Sequence, residues 1–398
     1  MAGRLRQRLS EPNPYTYIGK GKLEELCSEL ASDGVGTVIF DDELSPAQMR
    51  NIGKVLGEGT KVLDRTALIL DIFAQHAQSR EGQIQVEMAQ YSYLLPRLTG
   101  LWTHLIRQAG GHAAGGYGVG LRGPGETQLE TDRRRVRRRL EALRRQLEEV
   151  RRSREEVYRR RRRAELATAV LVGYTNAGKS SLLNALCRRQ GVDAEEGGPP
   201  LAYVADQLFA TLDPTTRRIL LPSGTPILIT DTVGFIKKLP LNLVAAFRAT
   251  LEGIGQADLL LHVADAAHPM AQAQVDAVRR MLSELDVADK PMLLIWNKID
   301  ALGEGIAAEH LAGEGAIPIS ARTGAGLDGL LEALDRAALS RLVAVEVEIP
   351  YSRPELQSRV FRQGAVDWFE HGEKGTRIRA HVPAALAAAL SAFASEHG

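Results

Sequence analysis

Apolar positions change their period several times along the chain. Over residues 1 to 75, short apolar runs alternate with amphipathic segments. GKGKLEELCSELASDG predicts a helix ending at Gly34, and VGTVIF a buried strand. SPAQMRNIGKVLG predicts a helix with Ser45 as N-cap and Pro46 in its first position, and KVLD a second short strand. That order predicts a small parallel sheet. From Arg80 to Leu98 the pattern becomes a seam, in which Ile84, Met88, Tyr91, Leu95 and Leu98 step by four and three. Between Glu126 and Leu166, Leu129, Val136, Leu143, Val150 and Val157 recur every seven residues, and Leu140 and Leu147 fill the second heptad position. Two matching seams predict a long antiparallel helical hairpin; a single solvated helix with chance spacing is the alternative. The segment between them, residues 100–125, is too rich in glycine for a stable helix and too long for a tight turn, which marks it as functional or disordered. From Thr168 to Val343 the apolar runs AVLV, PILIT, ADLLLHVAD, KPMLLIWNK and AIPIS alternate with helical patterns and predict a doubly wound α/β domain. The tail from Ala344, with VEVEIP, TRIRAHVP and a final Ala/Leu helix, predicts a small α+β module.

Composition adds limits. The 398 residues are 44% hydrophobic, enough for a sizeable core, and a net charge of +1 selects no partner. Two cysteines, Cys27 and Cys187, are too few for a disulfide framework and predict reduced thiols. The N-terminus lacks the apolar core of a signal peptide, and no apolar run is long enough to span a bilayer. A cytoplasmic monomer without stable membrane insertion is expected.

The chemistry concentrates where AVLV ends. GYTNAGKS, residues 173–180, fits the pattern G-x-x-x-x-G-K-S, follows a predicted strand and opens a predicted helix. In such a loop Gly173, Tyr174, Thr175, Asn176, Ala177, Gly178, Lys179, Ser180 and Ser181 wrap phosphate oxygens with main-chain N–H groups at a helix N-terminus. Lys179 would bridge the β- and γ-phosphates, and the Ser180 hydroxyl would ligate Mg²⁺. Asp231, Thr232, Val233 and Gly234 follow PILIT; the acid can hold Mg²⁺ through water and the Gly234 N–H can meet a γ-phosphate. Asn297, Lys298, Ile299 and Asp300 follow LLIW, and an aspartate there can accept both edge donors of guanine, which makes the nucleotide GTP rather than ATP. Ser320, Ala321 and Arg322 follow AIPIS and can close over the base edge. These motifs, in order at strand ends, predict a GTPase domain. Between Leu186 and Pro226 the stretch DQLFATLDPTTRR is the switch candidate, with Thr211 chosen over Thr215, Thr216 and Thr175 as the hydroxyl that completes Mg²⁺. Phe235 stands where many GTPases carry a glutamine, and it cannot polarise water. Slow hydrolysis, or help from a partner or an ion, would follow. Asn176 resembles the phosphate-loop asparagine that, in related GTPases, helps hold K⁺ near the β–γ bridge.

The chain resembles the HflX family of translation-associated GTPases. The resemblance runs through YIGKGKLEEL, FDDELSPAQ, DRTALILDIFAQHAQSREG, GPGETQLETDRRR, GYTNAGKS, LFATLDPTTR and DTVGF, and so covers almost the whole length. It implies GTP hydrolysis coupled to binding of the large (50S) ribosomal subunit and rRNA, and dissociation of stalled or stressed 70S ribosomes. It carries the nucleotide site onto Gly173–Ser180, Asp231–Gly234, Asn297–Asp300 and Ser320–Arg322, and onto Phe209, Ala210, Thr211, Leu212 and Asp213. Ser180 and Thr211 are its expected Mg²⁺ ligands. Only 16 residues precede Tyr17, where the family usually has another strand and helix, so a reduced N-terminal sheet is expected. The Gly-rich loop, which in the family reaches toward the peptidyl-transferase centre, is longer than usual here.

The residues themselves also point to RNA. From Arg133 to Arg163 there are 16 arginines against five glutamates, spread over most positions off the apolar seam. A merely solvated helix face usually mixes signs, whereas this one is lopsided and suits phosphate. Trp102, His104 and Tyr117 in the loop could stack on bases or simply pack at the hairpin tip. The expected architecture is therefore a small N-terminal α/β subdomain (1–79), a long helical hairpin (80–166) with its Gly-rich loop (100–125), a P-loop GTPase domain (167–343) and an α+β module (344–398). Three functions compete: a ribosome-splitting GTPase, a GTP-timed assembly or anti-association factor that leaves intact ribosomes alone, and a regulator of a protein such as a membrane protease.

Overall fold

The computed structural model describes residues 3–57, 59–98, 124–163, 166–190, 214–235, 253–302 and 315–394. The described residues fall into two compact units, one up to Val150 and one from Arg151.

The first unit begins with α1 (Lys20–Asp33), β1 (Thr37–Phe40), α2 (Pro46–Leu56) and β2 (Lys61–Asp64). The two strands pair in parallel with Phe40 opposite Asp64. Ser45 caps α2 through a reciprocal box: its Oγ accepts from Gln48 N, and the Gln48 side chain accepts from Ser45 N. Leu23, Phe40, Leu44 and Ile52 form the local core. The sequence predicted β1 as a buried strand, and here the structure differs: only Phe40 is buried along it, and Ile39 is 52% exposed. A two-stranded sheet has no inner strand, so just one side chain in two meets the core. α3 (Arg65–His76), absent from the predicted elements, follows directly with Asp64 as its N-cap.

α4 (Arg80–Leu94) and α5 (Pro124–Arg163) carry the predicted seams. Ile84, Leu143 and Leu147 form one buried cluster, with Met88, Tyr91 and Val150 packed against it. Glu87 and Arg139 join across the same pair at 2.7 Å. The loop 100–125 lies outside the described residues, apart from the start of α5. So do Trp102, His104 and Tyr117.

The second unit is built on a six-stranded sheet of order β4-β5-β3-β6-β7-β8. β3 (Ala167–Gly173) lies in parallel between β5 (Pro226–Asp231) and β6 (Leu259–Asp265). β7 (Met292–Asn297) and β8 (Ile317–Pro318) extend one side, and β4 (Thr215–Leu220) closes the other as an antiparallel edge. α6 (Lys179–Arg189) and α8 (Leu327–Leu339) cover one face, and α7 (Ala271–Glu284) the other. Alternate residues of β3 therefore enter different cores: Ala169 and Leu171 meet one, Val170 and Val172 the other. Burial on both faces is why the central strands read as unbroken apolar runs. β4, TTRRIL, escapes that signature because it is an edge strand with one fully buried residue, Ile219.

The tail forms a three-stranded antiparallel sheet of order β10-β11-β9. Its strands are β9 (Val343–Pro350), β10 (Ala365–His371) and β11 (Gly375–Val382), and α9 (Pro354–Gln363) and α10 (Ala384–Leu390) pack on one face around Val360, Ile378 and Leu386. No described helix is long and apolar enough to cross a membrane, and Cys27 and Cys187 are both free thiols.

Candidate functional site

β3 is where strand order reverses, since the chain next fills positions on one side of it and then turns to the other. A crevice opens at the carboxyl ends of the strands at such a reversal. Gly173 ends β3, Asp231 ends β5, Asn297 ends β7, and Ser320 lies two residues past β8. Four sequence motifs separated by up to 140 residues thus converge on one rim.

Residues 174–178 form the loop between β3 and α6, and Lys179 opens the helix. Gly178 has φ 92°, and a Cβ there would collide with the Asn297 side chain, so this position admits only glycine. The Asn297 amide donates to Ala177 O at 2.9 Å, and its Oδ1 accepts from Ala321 N at 3.0 Å. One side chain therefore ties the phosphate loop to the Ser320–Arg322 segment. Lys179 is 6% exposed and donates to Gly173 O at 3.2 Å and Tyr174 O at 3.0 Å. Burial pulls its pKa down to about 8, against a weaker opposing pull from Asp231. A cation desolvated in this way is suited to an incoming polyanion. Asn176 projects from the loop, exposed and with φ 60°.

Ser180 Oγ donates to Asp231 Oδ2 at 2.6 Å, and Asp231 is fully buried. A hydroxyl and a carboxylate side by side are the hard oxygen donors that Mg²⁺ selects. Among the described residues no group of three or more His, Cys, Asp or Glu could hold a metal. An ion at this pair would need phosphate and water oxygens to complete its shell, so the residues fit Mg²⁺ held together with a nucleotide. Thr232 Oγ1 donates to Leu171 O at 2.6 Å and pins the segment after β5 to β3. A Cβ on Gly234 would lie 2.6 Å from Thr175 Cα, so the two loops touch at main-chain distance. Phe235 extends that zipper: Thr175 N donates to Phe235 O at 2.8 Å, and Phe235 N to Gly173 O at 3.0 Å. Its side chain is 4% exposed and packs among Val170, Val172 and Ile254. The residue in the glutamine position is thus built into the core.

On the base side, Lys298 holds φ 66° and pairs with Asp265 at 2.8 Å. Asp300 accepts from Ser320 Oγ at 2.5 Å and pairs with Arg322 at 2.6 Å. The Ser320 hydrogen bond, opposed by desolvation and aided by the Arg322 charge, holds the Asp300 carboxyl below its usual range. Ile299 lies between them in a single 3₁₀ turn. Ser181 follows Ser180 on α6, and Val233 is 8% exposed.

Two site neighbours carry no motif. Asp265 could have been suspected as the acid ending the strand ADLLLHVAD. His262, opposite Val172 on β6 and 1% exposed, is kept neutral with a pKa near 4, chiefly by burial and then by the charges of Arg279 and Lys179. Phe209, Ala210, Thr211, Leu212 and Asp213 lie outside the described residues. Of the alternatives to Thr211, Thr215 and Thr216 belong to β4, where Thr216 pairs with Thr230, and Thr175 is in the phosphate loop.

Comparison with known proteins adds family relationships. Residues 1–74 match the family described as GTP-binding GTPase N-terminal, residues 76–162 the GTP-binding GTPase Middle Region, and residues 168–298 the 50S ribosome-binding GTPase. The chain is 43% identical to a GTPase HflX of Caldanaerobacter subterraneus subsp. tengcongensis, over 98% of this chain and 86% of that one. It is 43% identical to the GTPase HflX of Escherichia coli strain K12, over 92% of this chain and 83% of that one. A solved GTP-binding protein of Sulfolobus solfataricus in complex with GDP is 26% identical, over 83% of this chain and 89% of that one, with a TM-score of 0.43.

Proposed function

This chain belongs to the HflX family of ribosome-associated GTPases, and from that premise we propose that it binds the large ribosomal subunit and dissociates stalled or stressed 70S ribosomes in step with GTP binding and hydrolysis. The observation that carries the reading is α5. Its seam is buried at Leu140, Leu143 and Leu147, while Arg137, Arg138, Arg144 and Arg145 stand exposed. A helix fastened along one side and cationic on the others is a stiff arm suited to rRNA phosphate. With α4 it would form the antiparallel hairpin whose tip, residues 100–125, engages the ribosome. The accompanying domain boundaries are 1–79, 80–166, 167–343 and 344–398, in a cytoplasmic monomer.

In this reading the amides of Gly173–Ser181 cradle the triphosphate and Lys179 neutralises its β- and γ-oxygens. Ser180, Asp231 and Thr211 would hold Mg²⁺, which when bound would supply charge neutralisation at the transferring phosphoryl group. The Gly234 N–H senses the γ-phosphate, and Thr175 and Phe235 transmit its position along the main-chain zipper. Asn297 couples the loop to the base side, Asp300 reads guanine, and Ser320 to Arg322 close over the base edge. Because Phe235 is an apolar core residue, water activation falls to other groups. Asn176 is the residue assigned to a K⁺ ion in this reading, and hydrolysis should run faster in KCl than in NaCl at equal ionic strength. Equal rates in steady-state phosphate release would remove K⁺ from the scheme.

The direct test is sedimentation of 70S ribosomes through sucrose with saturating protein and a non-hydrolysable GTP analogue. The 70S peak should shrink in favour of separate subunits. An undiminished 70S peak would exclude splitting.

A further inference from the structure

We propose that Arg322 is a specificity-determining residue of the base pocket, which holds the Asp300 carboxylate in the orientation that reads guanine. The inference rests on Asp300 as base reader. Asp300 sits in the 3₁₀ turn Ile299–Ala301, just past β7, and is joined to the rim beyond β8 by two side chains. Ser320 Oγ donates to Oδ1 at 2.5 Å, and the Arg322 guanidinium pairs with Oδ2 at 2.6 Å. The carboxylate is therefore held at both oxygens by two neighbours on one loop.

That matters because guanine offers N1–H and N2–H₂ side by side. Reading both requires the two carboxylate oxygens to lie in the plane of the base. The last torsion of an aspartate is broad, so a carboxylate held at one oxygen alone can swing out of that plane. Ser320 supplies the first hold. It is fully buried, with its Oγ also accepting from Thr323 N at 3.1 Å. Arg322 supplies the second from the opposite chemical situation, with a side chain 77% exposed against 14% for Asp300. Each carboxylate oxygen has two lone pairs, so clamp and base can share both oxygens. The Ser320 hydrogen bond and the Arg322 charge also favour the ionised carboxyl, which accepts only and so suits guanine's two donors rather than the amino edge of adenine. Arg322 thereby acts through Asp300 and need not touch the base.

The test compares GDP with IDP, whose inosine base lacks the N2 amine, by equilibrium binding to the full chain. Arg322→Ala should narrow the GDP/IDP affinity ratio by up to about fivefold, the upper end for an exposed ion pair, with GDP losing more affinity than IDP. Arg322→Lys keeps a cationic N–H donor and should recover at least about half of the lost ratio. At 77% exposure neither change should threaten folding. An unchanged ratio in Arg322→Ala would overturn the proposal. So would a loss in Arg322→Lys as large as in Arg322→Ala, since a cationic donor on Asp300 would then not be what sets the ratio. Asp300→Asn separates the premise: if that variant discriminates as the wild type does, base reading by Asp300 is what has failed.

Discussion

Lys179 is the residue at which the site's electrostatics can be measured without ribosomes. Its ammonium is desolvated, and its pKa falls to about 8 from the usual lysine value of 10.5. A bound triphosphate favours the charged form and must raise that pKa again. The sign follows: at pH 8 the free site is about half deprotonated, so nucleotide binding should take up roughly half a proton, and at pH 6.5 almost none. Calorimetry in two buffers of different ionisation enthalpy reads this uptake, and none at pH 8 would mean that burial does not hold the free lysine's pKa down near 8. The residues of the four motifs were legible because each motif is short and its spacing is local. The partners that hold them were not. Asn297 meets Ala177 across 120 positions, Lys298 meets Asp265 across 33, and Ser180 meets Asp231 across 51. Phe235 carries no group that could activate water, but its place in the core and its main-chain bonds to the phosphate loop came from the fold.

At the scale of elements, α5 combines a buried stripe with a cationic remainder. Part of that charge is answered locally, by Glu130 for Arg134 at 2.7 Å and by Glu87 for Arg139 at 2.7 Å. The arginines to alter are therefore those on the exposed face that make no such bridge among the described residues. Replacing Arg137, Arg138, Arg144 and Arg145 by glutamine should weaken large-subunit binding and flatten the log K against log salt slope by roughly three, if each meets one phosphate. GTP affinity should stay at the wild-type level, since the nucleotide motifs lie beyond the arm. An unchanged salt slope in a filter-binding titration would show that the arginine face does not meet RNA. The seams of α4 and α5 were legible because heptad spacing is a property of one helix at a time. Ser45 and Pro46 announced α2 for the same local reason. β4 was not legible: an edge strand buries little, so TTRRIL shows no apolar run. α3 follows β2 with no intervening turn residues, which left its start unmarked apart from the Asp64 cap.

For the molecule as a whole, the sedimentation experiment divides the remaining functions. Separation of 70S ribosomes supports a splitting factor. Binding to free large subunits with the 70S peak intact would favour an assembly or anti-association factor. Either outcome leaves the nucleotide chemistry in place, because the four motifs meet at the same sheet rim whichever ribosomal step they serve. The class of chemistry and the order of the parts were legible in single stretches of chain. A glycine-rich loop after an apolar strand, a guanine-reading motif and an arginine-laden heptad repeat are local patterns, fixed by backbone sterics, hydrogen-bond complementarity and helical period. Adjacency came from the fold. The order β4-β5-β3-β6-β7-β8 brings Ser180 to Asp231, Asn297 to the phosphate loop, and Ser320 and Arg322 to Asp300. Those neighbours are chosen by which apolar faces bury together, a competition among distant segments that no single stretch of chain encodes.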